Sequence, residues 1–201
     1  MGPVRPFSGV PRKPRQEAAG GVHHVFARGN DRRAIYVDDV DRRGYLDILG
    51  RVTRRQRWRC LAYCLMPNHI HLLLETPFAN LGAGMHRLQG SYAQAFNERH
   101  GRSGHLFQGR YGSIHMTTDE HVWAAAAYIA LNPVAAGLCN TPEEWPWSSH
   151  QSTIDARRRP AWLDVARLLF YFDGLGGDSL QRYLAMTGGE SLQSAATVSR
   201  R

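Results

Sequence analysis

The fold is decided around the stretch Leu65-Met66-Pro67-Asn68-His69-Ile70-His71-Leu72-Leu73-Leu74-Glu75. Pro67 and Asn68 form a turn signal between two β-favouring runs, so the sequence predicts a hairpin of strands 58–65 and 69–75. Successive side chains of a strand point to opposite faces, which places His69 and His71 together on one face. Two imidazoles with this spacing can reach one metal ion from a rigid element.

A tyrosine and an amide lie four residues apart further along the chain. Tyr128 and Asn132 belong to an Ala-rich helix predicted over 122–131, which the capping box Thr117-Thr118-Asp119-Glu120 begins and Pro133 ends. Residues i and i+4 are neighbours on one helix face. Taken alone, such a tyrosine is usually a packing residue and such an asparagine a helix cap. Beside the histidine pair, they suggest a metal-assisted tyrosine nucleophile.

The remaining elements complete an α+β pattern. A strand at 22–28 and a helix at 41–56 precede the hairpin, and a helix capped by Asn80 and a short strand at 111–116 follow it. This order predicts an antiparallel sheet with helices packed on one face, related to ferredoxin-like folds. Around it we expect a basic disordered arm at 1–20, a main domain at 21–150 and a C-terminal helical extension at 151–201 whose end frays.

The charge leaves two interpretations open. The chain has 201 residues and a net charge of +8, and all but one of its 25 basic residues are arginine. Arginine pairs bidentately with phosphate and stacks on bases, which favours a nucleic-acid partner. Arginine codons are also favoured in a GC-rich genome, which would explain the composition without any partner.

The three cysteines, Cys60, Cys64 and Cys139, exclude a disulfide scaffold and fit a reducing cytoplasm. Cys60 and Cys64 are expected on one face of their strand, so structural zinc held by these two with His69 and His71 is a rival interpretation. Zinc cysteines usually lie on turns, and both are better explained as core residues. No stretch is apolar enough to span a bilayer and no signal peptide is evident, so we expect a cytoplasmic protein without a membrane partner.

Several segments together resemble the REP-associated tyrosine transposases, the RAYT group of the HUH single-tyrosine transposases. The resemblance covers about residues 20–150 and is carried by five segments in order: His23-His24-Val25 with Arg28-Gly29-Asn30, Pro67-Asn68-His69-Ile70-His71, Gly104 to Tyr111, Tyr128 with Asn132-Pro133, and Trp145-Pro146-Trp147-Ser148-Ser149. It implies a ferredoxin-like HUH domain that cleaves and rejoins single-stranded DNA at hairpin-forming sequences.

The resemblance also implies roles for individual residues. Tyr128 would be the nucleophile that forms a 5′-phosphotyrosine link, and His69, His71 and Asn132 would hold a divalent cation, Mg²⁺ or Mn²⁺. The implied partner is single-stranded DNA with a hairpin, bound by a monomer or a homodimer. Candidate DNA contacts on this chain are Arg28, Arg54, Arg55, Arg87, Arg102, Arg110 and Tyr111.

Two alternative functions share these residues. A protein derived from a transposase could bind DNA hairpins without cleaving them, and a metal-dependent nuclease could use water while Tyr128 is structural. A covalent protein–DNA adduct separates the transposase from both. The sequence specifies neither the DNA target nor whether the protein mobilises itself or processes chromosomal repeats.

Overall fold

The computed structural model describes residues 19–173 and 178–188. The predicted arm lies outside them except for Ala19 and Gly20, as does the predicted frayed end beyond residue 188. The described strands and α-helices, in chain order, are β1 (Gly21–Arg28), α1 (Asp39–Gln56), β2 (Arg59–Met66), β3 (His69–Thr76), α2 (Leu81–Arg99), β4 (Gly112–Met116), α3 (Asp119–Ala135), α4 (His150–Ile154), α5 (Val165–Phe170) and α6 (Ser179–Thr187).

The four strands form one antiparallel sheet in the order β2-β3-β1-β4. Strands β2 and β3 are joined by the Pro67-Asn68 turn, with Met66 opposite His69, as the sequence predicts. The two central strands are β3 and β1, and each is followed by a helical crossover to an edge strand. This is the ferredoxin-like α+β arrangement, so the predicted fold class is confirmed.

Helices cover both faces of the sheet, whereas we expected them on one face. Helices α1 and α2 bury an apolar cluster against one face, which includes Leu49, Leu88 and Ile70. Helix α3 lies on the other face, where Val122, Ile129 and the tail helices pack against the alternate strand residues. The expectation was wrong because α3 is apolar on several sides, and seven of its residues besides Pro133 are buried. The spacing of its apolar residues therefore does not indicate which face of the sheet the helix contacts.

A β-bulge separates the two strand cysteines. The pairing of β2 with β3 shifts between Cys60 and Ala62, which adds one residue to β2 and turns the following side chains over. Cys60 therefore belongs to the cluster under α1 and α2, and Cys64 to the cluster under α3. Both thiols are fully buried, so the core interpretation is confirmed and the four-ligand zinc alternative is excluded by geometry.

Helix α3 differs from the prediction at both ends. Its N-cap is Thr118, whose hydroxyl accepts a hydrogen bond from the backbone N–H of His121, so the cap is one residue later than the predicted capping box. At the other end the helix continues through Pro133 to Ala135. A proline in the last turn removes only one intrahelical hydrogen bond, which the buried packing of α3 can outweigh. Asn132 is consequently helical.

The segment after α3 extends the sheet edge. The backbone N–H of Leu65 donates to the carbonyl of Trp147, and that of Ser149 donates to Tyr63, so this segment runs along β2. Further along, the N–H of Asp164 donates to Cys60. These contacts cover an edge that would otherwise expose unpaired backbone groups. None of the described helices is long and apolar enough to cross a membrane.

Candidate active site

The histidine pair lies where the strand period predicts. His69 and His71 are at the beginning of β3, and their rings point to the face that carries α3, with centroids 5.0 Å apart. His71 is buried and His69 is half-buried. The intervening Ile70 is fully buried on the opposite face, among the residues of α1 and α2.

Helix α3 brings Tyr128 and Asn132 to the same place. The ring of Tyr128 meets the ring of His71 edge-on, with centroids 5.3 Å apart. Asn132 Oδ1 lies 3.3 Å from His69 Nε2. The alanines of α3, of which Ala126 is 1% exposed, allow the helix to approach the sheet closely enough for these contacts. The structure thus brings together all four residues that the sequence proposes as nucleophile and ligands.

A third histidine, which sequence analysis did not assign to the site, completes the cluster. His24 of β1 lies on the same face, and its Nε2 is 2.9 Å from Nδ1 of His71. Its ring also meets Tyr128 edge-on, with centroids 5.7 Å apart. The alternation of Val22, His24 and Phe26 could have indicated the face, but the pairing of β1 with β3 is not evident from the sequence.

Burial keeps these imidazoles neutral. It lowers the pKa of His24 to about 4 and the pKa of His71 well below its ordinary value. Burial also lowers the pKa of His69, and the nearby charge of Arg28 acts in the same direction, while the Asn132 contact opposes both. A neutral imidazole retains a lone pair on one ring nitrogen, which is the form that binds a metal.

The hydrogen bonds around His69 leave two lone pairs facing each other. The Nδ2 of Asn68 donates to the carbonyl of Arg32, which fixes the amide so that Oδ1 of Asn68 accepts from Nδ1 of His69 at 2.7 Å. Nε2 of His69 then carries no proton and faces Oδ1 of Asn132, which carries none either. Both atoms are satisfied if they bind the same cation.

His71 provides a third atom with a lone pair that can bind a metal ion. Its Nε2 is buried and has no hydrogen-bond partner among the residues that the structure describes. Within the described parts of the chain, no group of three or more His, Cys, Asp or Glu side chains is placed to hold a metal ion. The set here is different, with two imidazole nitrogens and one amide oxygen. An unpaired buried nitrogen beside two opposed lone pairs fits a divalent cation.

A cleft of about 590 Å³ opens beside these residues, between β1, β4 and α3. His24, His69, His71 and Tyr128 lie along it, and so do apolar side chains of Phe26, Ile114, Met116, Ala124 and Ala125. Phe26 is 37% exposed and Ile114 is 44% exposed, although both lie on a sheet face that is otherwise covered. The cleft therefore combines a polar end with an apolar wall.

Of the proposed DNA contacts, Arg28 lies at the site. It ends β1, pairs with His69 across the sheet and lines the cleft. Arg110 is exposed just before β4, close in sequence to the cleft residue Gln108. The backbone N–H of Gln108 donates to the carbonyl of Arg28, which joins these two segments.

The other proposed contacts lie away from the cleft. Arg54 and Arg55 are in the last turn of α1, at the end of the sheet where Arg59 pairs with Glu75, roughly 20 Å along the strands from His69. Arg87 and Arg102 belong to α2 and the segment after it, on the opposite face of the sheet, and Arg102 lies over the ring of Phe96. Tyr111 is buried in the core cluster of that face, so its ring is not available for stacking.

Glu75 shares the face of the two histidines but lies far from them. It is at the other end of β3, where its carboxylate accepts hydrogen bonds from Nε of Arg167 at 2.7 Å and from the hydroxyl of Tyr171. Its role is to attach α5 to the sheet.

A tight loop after β1 presents two arginines that sequence analysis did not assign to the site. Arg32 and Arg33 are exposed, and Asp31 and Arg32 both have positive φ angles, which non-glycine residues seldom adopt. Gly29 allows the loop to close, because a Cβ there would lie 2.1 Å from the carbonyl oxygen of Arg33. The loop is attached to the histidine strand by the hydrogen bond from Asn68 to Arg32.

A family model described as "Transposase IS200 like" matches residues 20–132, which contain the whole sheet, both histidines, Tyr128 and Asn132. The chain belongs to the IS200-like transposase family. Membership assigns it to the transposases, enzymes that bind DNA and carry out transposition.

Two relatives agree with this membership. The transposase is 24% identical over 153 residues to a Haemophilus influenzae protein provisionally named REP-associated tyrosine transposase, covering 70% of this chain and 86% of the relative. It also resembles the solved structure of a REP-associated tyrosine transposase bound to a REP hairpin, with a TM-score of 0.63 at 17% identity over 74% of this chain and 88% of the other. The resemblance to this group that the sequence indicates is confirmed, and the family to which the chain belongs is that of the IS200-like transposases.

Proposed function

We propose that this transposase cleaves and rejoins single-stranded DNA next to a hairpin, through a covalent link to Tyr128 and with the help of a divalent cation. The observation that carries the proposal is the meeting of Tyr128 with His71 and of Asn132 with His69 across one cleft. A tyrosine beside two imidazole nitrogens and one amide oxygen that can bind a metal ion is suited to phosphodiester chemistry.

The reaction would exchange one phosphodiester for another. The phenolic oxygen of Tyr128 attacks a phosphorus of the DNA strand, the new bond joins tyrosine to the 5′-phosphate, and the bond to the 3′-oxygen breaks. The departing 3′-oxygen takes up a proton, and the proton of tyrosine passes to solvent. Attack by a 3′-hydroxyl on the tyrosine link reverses these steps, so strands are rejoined without an external energy source.

His69, His71 and Asn132 would hold the cation, and Arg28 would contact phosphate beside it. A bound Mg²⁺ or Mn²⁺ would polarise the scissile phosphate and stabilise the negative charge that develops there. The ligands of the cation would be in place before DNA binds, because β3 is a central strand of the sheet and His24 contacts His71. Neutral ligands leave the full charge of the cation available to phosphate.

The apolar wall of the cleft supports a single-stranded substrate. The bases of a duplex are stacked and paired, whereas an unpaired base can leave the strand and lie against Phe26 and Ile114. The solved relative is bound to a REP hairpin, and we extend that partner to this chain. Arg28, Arg32, Arg33 and Arg110, all exposed at the same end of the sheet, are the proposed contacts for the backbone of the hairpin.

The test is covalent capture of labelled DNA. Single-stranded DNA with a hairpin and flanking nucleotides is incubated with Mn²⁺, and the protein is denatured and separated by size. Wild type should give a labelled protein band, and Tyr128→Phe should give none while retaining DNA affinity. Tyr36→Phe is the matched control, because the hydroxyl of Tyr36 is buried on the other face of the sheet and has no hydrogen-bond partner within 19–173 and 178–188. It should behave as wild type.

The same assay separates the alternatives. Hairpin binding without cleavage or adduct would support a protein that only recognises DNA. Cleavage without an adduct would support a nuclease that uses water. Chelation with EDTA, His69→Ala and His71→Ala should each abolish the adduct, and cleavage that persists in EDTA would contradict a role for the cation.

A further inference from the structure

His24 occupies a position that explains how His71 could bind a cation. It is buried on the inner strand β1, and its Nε2 lies 2.9 Å from Nδ1 of His71. One of these two nitrogens must carry the proton that the other accepts. Among the residues that the structure describes, the ring of His71 makes no other hydrogen bond, so the proton shared with His24 determines which nitrogen of His71 keeps its lone pair.

We infer that His24 is a positioning residue, which accepts a hydrogen bond from Nδ1–H of His71 and so directs the unprotonated Nε2 of His71 into the cleft. The inference rests on the proposed function in one respect, since the cation is the group that Nε2 would meet. A hydrogen bond to the outer nitrogen of a metal-binding imidazole fixes both its tautomer and the orientation of its ring.

The opposite arrangement is unfavourable in this environment. If Nε2–H of His24 donated to Nδ1 of His71, then Nε2 of His71 would carry a proton, and that buried atom has no acceptor in the described parts of the chain. A buried donor without an acceptor costs free energy. The arrangement with Nδ1–H on His71 leaves a lone pair there instead, which a cation can satisfy.

His24 is thereby distinguished from a metal ligand. Its Nε2 is engaged by His71, and its ring contacts the rings of Tyr128 and Phe26, with centroids 5.7 Å and 5.8 Å away. The three histidines therefore have separate roles: His69 and His71 face the cation, and His24 lies behind His71.

The tautomer of His71 is the direct readout, measured without metal by long-range ¹H–¹⁵N correlation of the histidine rings. In wild type the proton should be on Nδ1 of His71. In His24→Leu, which lacks an acceptor, this preference should be lost. In His24→Gln the side-chain oxygen can reach the place of Nε2, so the preference should return. A wild-type His71 with its proton on Nε2 would overturn the inference, whatever the variants show.

Metal affinity is the second readout, with Mn²⁺ titrated by calorimetry. We expect His24→Leu to bind Mn²⁺ about 10–100-fold more weakly than wild type and His24→Gln to recover most of the loss. The control His86→Leu replaces an exposed histidine of α2 and should bind as wild type. Equal affinity of wild type and a folded His24→Leu would overturn the inference. Failure of wild type itself to bind Mn²⁺ would instead contradict the proposed function, while the tautomer measurement would still decide the role of His24.

Discussion

At the scale of single residues, Phe26 gives the cleft its apolar wall. Its ring lies over Gly112 on the neighbouring strand, where a Cβ would come within 2.2 Å of the ring atoms. The glycine therefore lets the ring lie flat against β4 while its other side stays exposed. An exposed phenylalanine ring in the same cleft as the nucleophile is available for contact with a ligand. We therefore expect it to stack with an unpaired base.

We predict that Phe26→Ala weakens binding of single-stranded hairpin DNA by about 1–3 kcal/mol, the range found for loss of one base–aromatic contact. The comparison is a titration of both proteins at the same salt concentration. Phe78→Ala is the matched control, since Phe78 is also exposed but follows β3 at the other end of the sheet. Equal losses in the two variants would mean that Phe26 makes no specific contact.

The sequence predicts four residues of the site because their positions depend on local secondary structure. The two-residue period of β3 places His69 and His71, and the helical period of α3 places Tyr128 with Asn132. His24 escapes prediction because its role depends on the register between β1 and β3, which are separated by about forty residues of intervening chain. The position of the lone pair on His69 likewise depends on a hydrogen bond between two loops, from Asn68 to Arg32.

At the scale of elements, a charged junction joins the start of α1 to the end of α2. Asp38 caps α1 and also accepts a hydrogen bond from Nη2 of Arg99 at 2.6 Å, which lowers its pKa. Burial raises the pKa of Asp41, but hydrogen bonds from Val37 N–H, His100 and Arg99 outweigh this, and the net pKa is lowered. Both carboxylates are thus stabilised in the charged form at neutral pH.

We predict that Asp41→Asn lowers the free energy of unfolding by about 2 kcal/mol at pH 7, because Arg99 and His100 lose the charge of the buried carboxylate that accepts their hydrogen bonds. A carboxyl whose pKa is lowered on folding stabilises the protein above its unfolded pKa of about 3.9, and this stabilisation disappears as the pH falls through the folded pKa. The deficit of the variant should therefore shrink in acid.

Urea unfolding at pH 7 and at pH 3 measures this effect. Asp47→Asn, an exposed carboxylate on the same helix, should differ little from wild type at either pH. If Asp41→Asn had the same free energy of unfolding as wild type at pH 7, or if the difference between the two grew at pH 3, the role assigned to the junction would be contradicted.

The elements themselves follow largely from the sequence, and the exceptions have physical causes. The apolar positions of α2, including Leu81, Met85 and Leu88, are all buried as the helical period predicts. Asn80 stands at the N-cap of that helix, yet its Oδ1 accepts from Nε1 of Trp58 and makes no cap hydrogen bond. Tertiary contacts of this kind, like the bulge after Cys60 and the packing that carries α3 past Pro133, override local preferences.

At the scale of the whole molecule, the arrangement of positive charge should determine how the transposase binds DNA. The net charge of +8 predicts that affinity decreases steeply with salt, because arginine–phosphate contacts release counterions. Four of the basic residues, Arg5, Arg12, Lys13 and Arg15, belong to the predicted arm before the described domain.

We predict that deletion of residues 1–18 leaves cleavage intact but reduces DNA affinity and makes its salt dependence shallower. The slope of log affinity against log salt should fall by roughly 0.7 for each single-strand phosphate contact that is lost. A full-length variant with glutamine at the four basic positions is the control and should reproduce the shallower slope. Identical slopes for wild type and the deletion would show that the arm does not contact DNA.

The central claim is that Tyr128 becomes covalently joined to DNA, and peptide mapping of the adduct tests it most directly. Trypsin cuts after Arg110 and Arg157, so one peptide, 111–157, contains both Tyr111 and Tyr128. Fragmentation of that peptide by mass spectrometry locates the attached nucleotide. We predict a 5′-phosphate linked to Tyr128, in an adduct that forms only with a divalent cation. A nucleotide attached to Tyr111 or to any other residue would contradict the account.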